Sequence, residues 1–221
     1  MGQHYLKPLF APKSVAVFGA SDQVDSVGKI VFHNMLQSGY QVALYPINPN
    51  HEKIQGHKAF ASISEIHEPV DLAIIATPPK SVADIIEECG KHNVKAAVII
   101  TAGFGEAGAA GEKLEQAVLE SAKRYNIRLI GPNCLGVMRP DIGLNATFNH
   151  GSANAGNLAF VSQSGALCTA ILDWAKSNDV GFSSVVSMGS SIDVDFGEIL
   201  DYLVSDIKTH SILLYIEGIR N

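Results

Sequence analysis

The sequence predicts an α/β fold built from a Rossmann-like domain on a parallel sheet and part of a second α/β domain. Short runs rich in Val, Ile, Leu and Ala alternate with longer stretches whose apolar residues recur at helical spacing, as buried strands and amphipathic crossover helices do. The first apolar run enters a glycine turn that opens a helix. The alternation breaks before residue 155 and then restarts.

Strands are predicted over Ser14 to Phe18, Gln41 to Tyr45, Leu72 to Ala76, Ala96 to Thr101 and Arg128 to Ile130, runs too short and too uniformly apolar for amphipathic helices. Helices are predicted between them, over Gly28 to Ser38, Ser81 to His92 and Gly111 to Tyr125, each with a charged outer face. The stretch from Gly131 to Ala155, with Gly, Pro and Asn throughout, has no sustained period and closes a first unit of residues 1–150. A second unit over 151–221 reads as strand Leu158 to Ser162, helix Gly165 to Ser177, strand Phe182 to Ser187, helix Asp195 to Ser205 and strand Ile212 to Glu217. The alternation then calls for another helix, so a continuation past Asn221 is expected.

Composition narrows the function. With 47% apolar and 17% charged residues over 221 positions, the chain buries real cores. A net charge of −6 offers no field for nucleic acid or an anionic membrane. No apolar run reaches spanning length and no signal-peptide pattern opens the chain, so a cytoplasmic location is expected. Cys89, Cys134 and Cys168 lie far apart, without the close pairs of a zinc or dithiol site, and read as reduced thiols near the core. A homo-oligomer is compatible with all of this.

Gly19-Ala20-Ser21-Asp22, followed by Gly28-Lys29 at a helix start, has the make-up of a phosphate cradle: glycine lets the backbone approach an anion, and the helix end supplies unpaired amides. The nicotinamide version needs a G-x-G-x-x-G turn and an acid after the second strand. Here that strand runs into Tyr45-Pro46-Ile47-Asn48-Pro49-Asn50, so a dehydrogenase is disfavoured and another adenine-nucleotide ligand preferred. Thr77 and Thr101, at the ends of the third and fourth strands, offer hydroxyls to the same sheet edge. Gly131-Pro132-Asn133-Cys134-Leu135-Gly136 either binds a polar group or ties the domains together, and the structural role is favoured. In Ser162-Gln163-Ser164-Gly165, hydroxyls and helix-terminal amides of Ser162, Ser164 and Gly165 suit a phosphate, while either serine also serves as a helix cap. The window lacks the G-x-S-x-G frame of a hydrolase elbow. The acids Asp193, Asp195, Glu198 and Asp201 fit a capped first helical turn better than a metal site. Glu217 ends the apolar run Leu213 to Ile216 and needs a partner or a task.

Taken together, Val17-Phe18-Gly19-Ala20-Ser21, Asn48-Pro49, Gly131 to Gly136, Phe160 to Ala166 and Leu214-Tyr215-Ile216-Glu217-Gly218 resemble the NDP-forming acyl-CoA synthetases, relatives of the succinyl-CoA synthetase α subunit. The later segment, from Ile171 to Tyr215, looks most like a bacterial branch fused to a GNAT-type protein lysine acetyltransferase. The resemblance implies a Rossmann-like CoA-binding domain followed by a truncated flavodoxin-like ligase domain, with CoA or acetyl-CoA as ligand. It puts Gly19, Ala20, Ser21 and Asp22 on the CoA-binding turn and Ile100, Thr101 and Ala102 on a second CoA-contacting strand end. It also implies that Ser164 and Gly165 match the helix start that holds a phosphohistidine, and that Glu217 matches a glutamate orienting that histidine.

The family's histidine motif, Ser-His-Thr-Gly or a close variant, is absent among the eight histidines, and the ATP-grasp segment is missing. No catalytic residue is therefore assigned within this chain. The resemblance implies that ATP or ADP and Mg enter only through parts beyond it. An ATP-grasp or acetyltransferase domain is the expected partner, giving either the acyl-CoA-binding portion of a ligase or the acyl-CoA-sensing region of an acetyltransferase. Where many relatives carry a lysine after Asn48-Pro49, this chain has Asn50 and His51.

Overall fold

The computed structural model describes residues 4–218. A short helix α1 (Lys7–Phe10) precedes β1 (Ser14–Phe18), α2 (Val27–Gln37), β2 (Ala43–Ile47) and a small hairpin of β3 (Lys53–Ile54) and β4 (His57–Lys58). Then come β5 (Leu72–Ile75), α3 (Val82–Lys91), β6 (Ala96–Ile99), α4 (Ala109–Tyr125) and β7 (Arg128–Ile130). The second half holds β8 (Gly136–Arg139), β9 (Leu144–Thr147), β10 (Asn154–Ser162), α5 (Gly165–Ser177), β11 (Gly181–Ser187), α6 (Phe196–Val204) and β12 (Ser211–Tyr215).

The first sheet is wholly parallel, in the order β2-β1-β5-β6-β7. Its inner strands β1, β5 and β6 bury both faces. Val15, Val17, Ile74 and Val98 belong to one core with Val31 and Phe32 of α2, whereas Ala16, Phe18, Ile75 and Ile99 belong to another with Ile86 of α3 and Val118 of α4. That is why the sequence shows continuous apolar runs rather than alternation. The first core continues into Val137, Ala159, Val161 and Val186 of the second sheet, and Leu6, Leu9 and Phe10 around α1 are sealed within it.

The second sheet has the order β12-β10-β11-β8-β9. β10 pairs in parallel with β11 and β12, while β8 and β9 add antiparallel strands on the far side of β11. This corrects the reading of residues 131–155 as irregular. Two four-residue strands flanked by Gly, Pro and Asn carry too little local pattern to show; β8 pairs with β11 across some fifty residues of chain, and β9 pairs with β8. They belong to the second sheet, although they lie within the residues 1–150 read as the first unit.

Two further differences have physical causes. The second strand lies two residues later than expected because it takes in Pro46; β2 is an edge strand, so proline's missing N–H leaves no ladder bond unmade. The last strand stops at Tyr215, so Glu217 lies beyond it with an exposed side chain rather than within a buried run. β12 is itself an edge, with Leu213 and Tyr215 about 40% exposed. Among the described residues, no helix is long and apolar enough to cross a membrane.

Candidate functional site

In a parallel sheet of this order the ligand crevice opens where neighbouring connections leave in opposite directions, here at the carboxyl ends of β1 and β5. The chain turns away from β1 at Gly19, whose φ of +82° and whose approach to Ala76 exclude a side chain: a Cβ there would stand 2.5 Å from the Ala76 carbonyl oxygen. Helix α2 then starts against the turn. The result is a cleft of about 540 Å3, within the usual range for a cofactor site.

Its first wall is Gly19, Ser21, Ser26 and Gly28. Ser26 caps α2, accepting from the Lys29 amide at 3.3 Å and donating to the Gln23 carbonyl at 2.9 Å. The Ser21 hydroxyl accepts from the Gln23 amide at 2.9 Å. The second wall is Ile47 to Asn50. The Asn48 amide group donates to the Ala20 carbonyl at 2.8 Å while its oxygen accepts from the Asn50 amide at 2.9 Å, so one side chain fixes both loops. The third wall is formed by Thr77, Pro78, Ser81, Ile85 and Glu88, where Ser81 donates to the Thr77 hydroxyl at 3.0 Å. Glu88 is the one ionisable residue among the described lining, so the groups this cleft could offer an anion are amides and the α2 dipole.

The cleft thus brings together Gly19, Ser21 and Thr77 of the residues singled out from sequence. Ala20 is buried and contributes its carbonyl to Asn48; the Asp22 carboxylate accepts from the Gln55 amide at 2.9 Å, fastening the β3-β4 hairpin over the turn. Thr101 stands behind the third wall, donating to the Thr77 carbonyl at 2.8 Å, with Ile100 buried in the core and Ala102 exposed. Ser26, Ser81, Ile85 and Glu88 were missed. Ser26 was legible as a cap two residues before Gly28, and Ser81, Ile85 and Glu88 recur at the spacing of one helical face.

At the second turn Ser162 is fully buried and its hydroxyl is spent on Ser164, accepting from the amide and donating to the carbonyl at 3.0 Å each. Ser164 caps α5, accepting from the Leu167 amide at 3.3 Å, and Gly165 opens the helix. Gln163 was not singled out, yet its amide group holds the chain after β12: the oxygen accepts from the Glu217 and Gly218 amides at 2.6 and 3.0 Å, and the nitrogen donates to the Gly218 carbonyl at 2.8 Å. Glu217 is thereby tied by its backbone, beside the turn that the sequence resemblance pairs it with.

The loop from Gly131 to Gly136 ties the domains: its Asn133 amide donates to the Thr101 carbonyl at 2.9 Å and its Pro132 carbonyl accepts from Ser190 at 2.9 Å. Cys134 is buried, which raises its thiol to about 12, and it donates to the Ile99 carbonyl at 3.3 Å. Asp195 and Glu198 form a reciprocal capping box at the start of α6, and Asp193 pairs with Arg128.

Residues 13–140 match the model of a CoA binding domain, and residues 155–221 that of a succinyl-CoA ligase like flavodoxin domain. The chain belongs to the NDP-forming acyl-CoA synthetases, as an α-subunit-like region. It is 45% identical, over 98% of its length, to 31% of an ADP-forming acetate–CoA ligase I of Archaeoglobus fulgidus. It is also 45% identical, over 96% of its length, to 46% of the α subunit of an ADP-forming acetate–CoA ligase II of Pyrococcus furiosus. A dinucleotide-forming acetyl-coenzyme A synthetase 1 of Ca. Korarchaeum cryptofilum, solved with phosphate and ADP, superimposes with a TM-score of 0.94 at 39% identity, covering 97% of this chain and 46% of that one. This α-subunit-like region therefore spans 31% to 46% of the length of the relatives named here.

Proposed function

We propose that the chain is the CoA- or acyl-CoA-binding portion of an acid–thiol ligase of the NDP-forming type, acting on a small carboxylic acid. The observation that carries this reading is the cleft at Gly19, where glycine backbone and the capped start of α2 meet at the switch point of a parallel sheet with space for a nucleotide-sized ligand. In this reading the diphosphate of CoA lies on the backbone of Gly19 to Asp22 and the Ser21 hydroxyl. The pantetheine arm runs along the strand ends at Thr77 and at Ile100, Thr101 and Ala102. The turn Ser162 to Gly165 offers a phosphate the amides at the start of α5 and the Ser164 hydroxyl, while Ser162 acts through the backbone it fixes.

A CoA thioester yields an acyl phosphate when phosphate attacks its carbonyl and CoA leaves; the phosphoryl group then passes through a histidine to a nucleoside diphosphate. The histidine and nucleotide-binding parts, with Mg, belong to other portions of a whole ligase. Glu217, on a chain fixed by Gln163, is the proposed orienter of that histidine. The relatives named above are ligases, which is why this reading is preferred to acyl-CoA sensing by an acetyltransferase.

Isothermal titration tests the reading. CoA and acetyl-CoA are expected to bind well above NAD, and tighter binding of NAD overturns it. The chain alone, given acyl-CoA, phosphate and ADP, is expected to form no ATP; sustained ATP formation would place the catalytic machinery inside it.

A further inference from the structure

The far end of the Gly19 cleft has a different chemistry from its glycine wall. Ser81, just before α3, and Ile85 and Glu88 on one face of that helix line the cleft together with Ile47 to Asn50. Ile47, Ala61 and Ile85 add apolar surface suited to the flat face of a base, and Glu88 adds the one carboxylate of the described lining. One Glu88 oxygen accepts from the Ser62 hydroxyl at 3.3 Å. Among the described lining residues there is no Lys, Arg or His to offset it. Two cations border Glu88 from outside the cleft: Lys91, held by Glu87 at 2.8 Å, and His92, whose ring lies 3.2 Å from the Glu68 carbonyl, share an adjoining hollow with it, and the Glu88 charge acts on Lys91; Lys80 is exposed outside the lining.

We infer that Glu88 is a specificity-determining residue which sets this site against a phosphate on the ligand's ribose, so that dephospho-CoA binds at least as tightly as CoA. The inference rests on the CoA reading proposed above. With the diphosphate held at the turn, the base lies between the apolar walls and its ribose near Glu88. A 3′-phosphate dianion in the cleft meets a carboxylate with no cation in the cleft lining, Lys91 being held by Glu87, whereas ribose hydroxyls donate to it. The diphosphate loses nothing when the 3′-phosphate is removed, because backbone amides and a helix end hold it.

The experiment is a titration of the chain with CoA and with dephospho-CoA at one fixed ionic strength, repeated for Glu88→Gln. The wild-type chain is expected to bind dephospho-CoA as tightly as CoA or more so. Glu88→Gln, at an exposed position that leaves the core untouched, is expected to shift the ratio toward CoA by about threefold or more, the scale of one charge pair in a solvated setting. Tighter binding of CoA by the wild-type chain, or a ratio unmoved in the variant, overturns the inference while leaving the CoA reading in place. Failure of both ligands to bind removes the CoA reading itself, and the inference with it.

Discussion

Gly28 stands so close to Gly19 that a Cβ at residue 28 would lie 1.8 Å from the Gly19 carbonyl oxygen. Helix and turn therefore touch backbone to backbone, and this contact sets the start of α2 against the cleft. In Gly28→Ala the obstacle is a carbonyl rather than a flexible side chain, so the helix start must retreat. The expected cost is about 1–3 kcal/mol of stability. CoA affinity is expected to fall about tenfold or more, a change of about 1.4 kcal/mol or more in binding. Calorimetry reads both, and unchanged affinity in a folded variant would remove the helix start from the site.

Arg128 joins β7 of the first sheet to the start of α6. Its guanidinium donates to Asp193 at 2.9 and 3.2 Å and to a Glu198 oxygen at 2.8 Å, and lies 5.3 Å from the centre of the Tyr5 ring. Burial opposes its charge, but the two carboxylates outweigh burial and raise its pKa further. Arg128→Met leaves both acids without their cation, so a loss of about 1–3 kcal/mol is expected in urea unfolding. Arg128→Lys is expected to recover only part of it, since an ammonium lacks the planar fork that meets Asp193 twice. An unchanged midpoint in Arg128→Met contradicts this account.

The first sheet was legible because its inner strands β1, β5 and β6 are buried along their whole length as local apolar runs, and β1 matches the expected bounds to the residue. The glycine turn was legible for a related reason: a strand, a glycine and a helix start follow one another within the chain. The third wall of the cleft was not. The face of α3 that carries Ile85 and Glu88, with Ser81 just before the helix, is visible in the sequence, but whether it turns toward the sheet edge is decided by the packing of Val82, Ile86 and Cys89 beneath it. The β8-β9 pair was hidden likewise, since its partner β11 is remote in sequence. Gln163 was passed over because its role depends on where β12 ends.

All three thiols are buried, and burial raises each: Cys168 to about 11, Cys134 to about 12, and Cys89 further still. At pH 8 the thiolate, the reactive form, is almost absent from the folded chain. An aromatic disulfide reagent is expected to leave the native chain unlabelled over minutes and to titrate three thiols once it is unfolded. Rapid labelling of one thiol in the native chain would show that its surroundings open on that timescale.

Tyr40 makes the alkaline behaviour of the fold measurable. Its hydroxyl donates to the Pro12 carbonyl and burial raises its pKa to about 12, against 10.0 for the free side chain. The neutral form is the one the fold holds. Below pH 10 the phenol is protonated in both folded and unfolded chains, so its contribution is fully present; between pH 10 and 12 only the unfolded chain releases the proton, and stability falls as pH rises. The raised thiols act in the same direction, starting nearer pH 9. Tyr40→Phe removes one hydrogen bond and is expected to lower stability at pH 8 by about 1 kcal/mol. With no phenol to ionise, its urea midpoint is also expected to decline less steeply than the wild type between pH 10 and 11. Parallel declines in the two chains would mean that Tyr40 does not contribute to the alkaline limb.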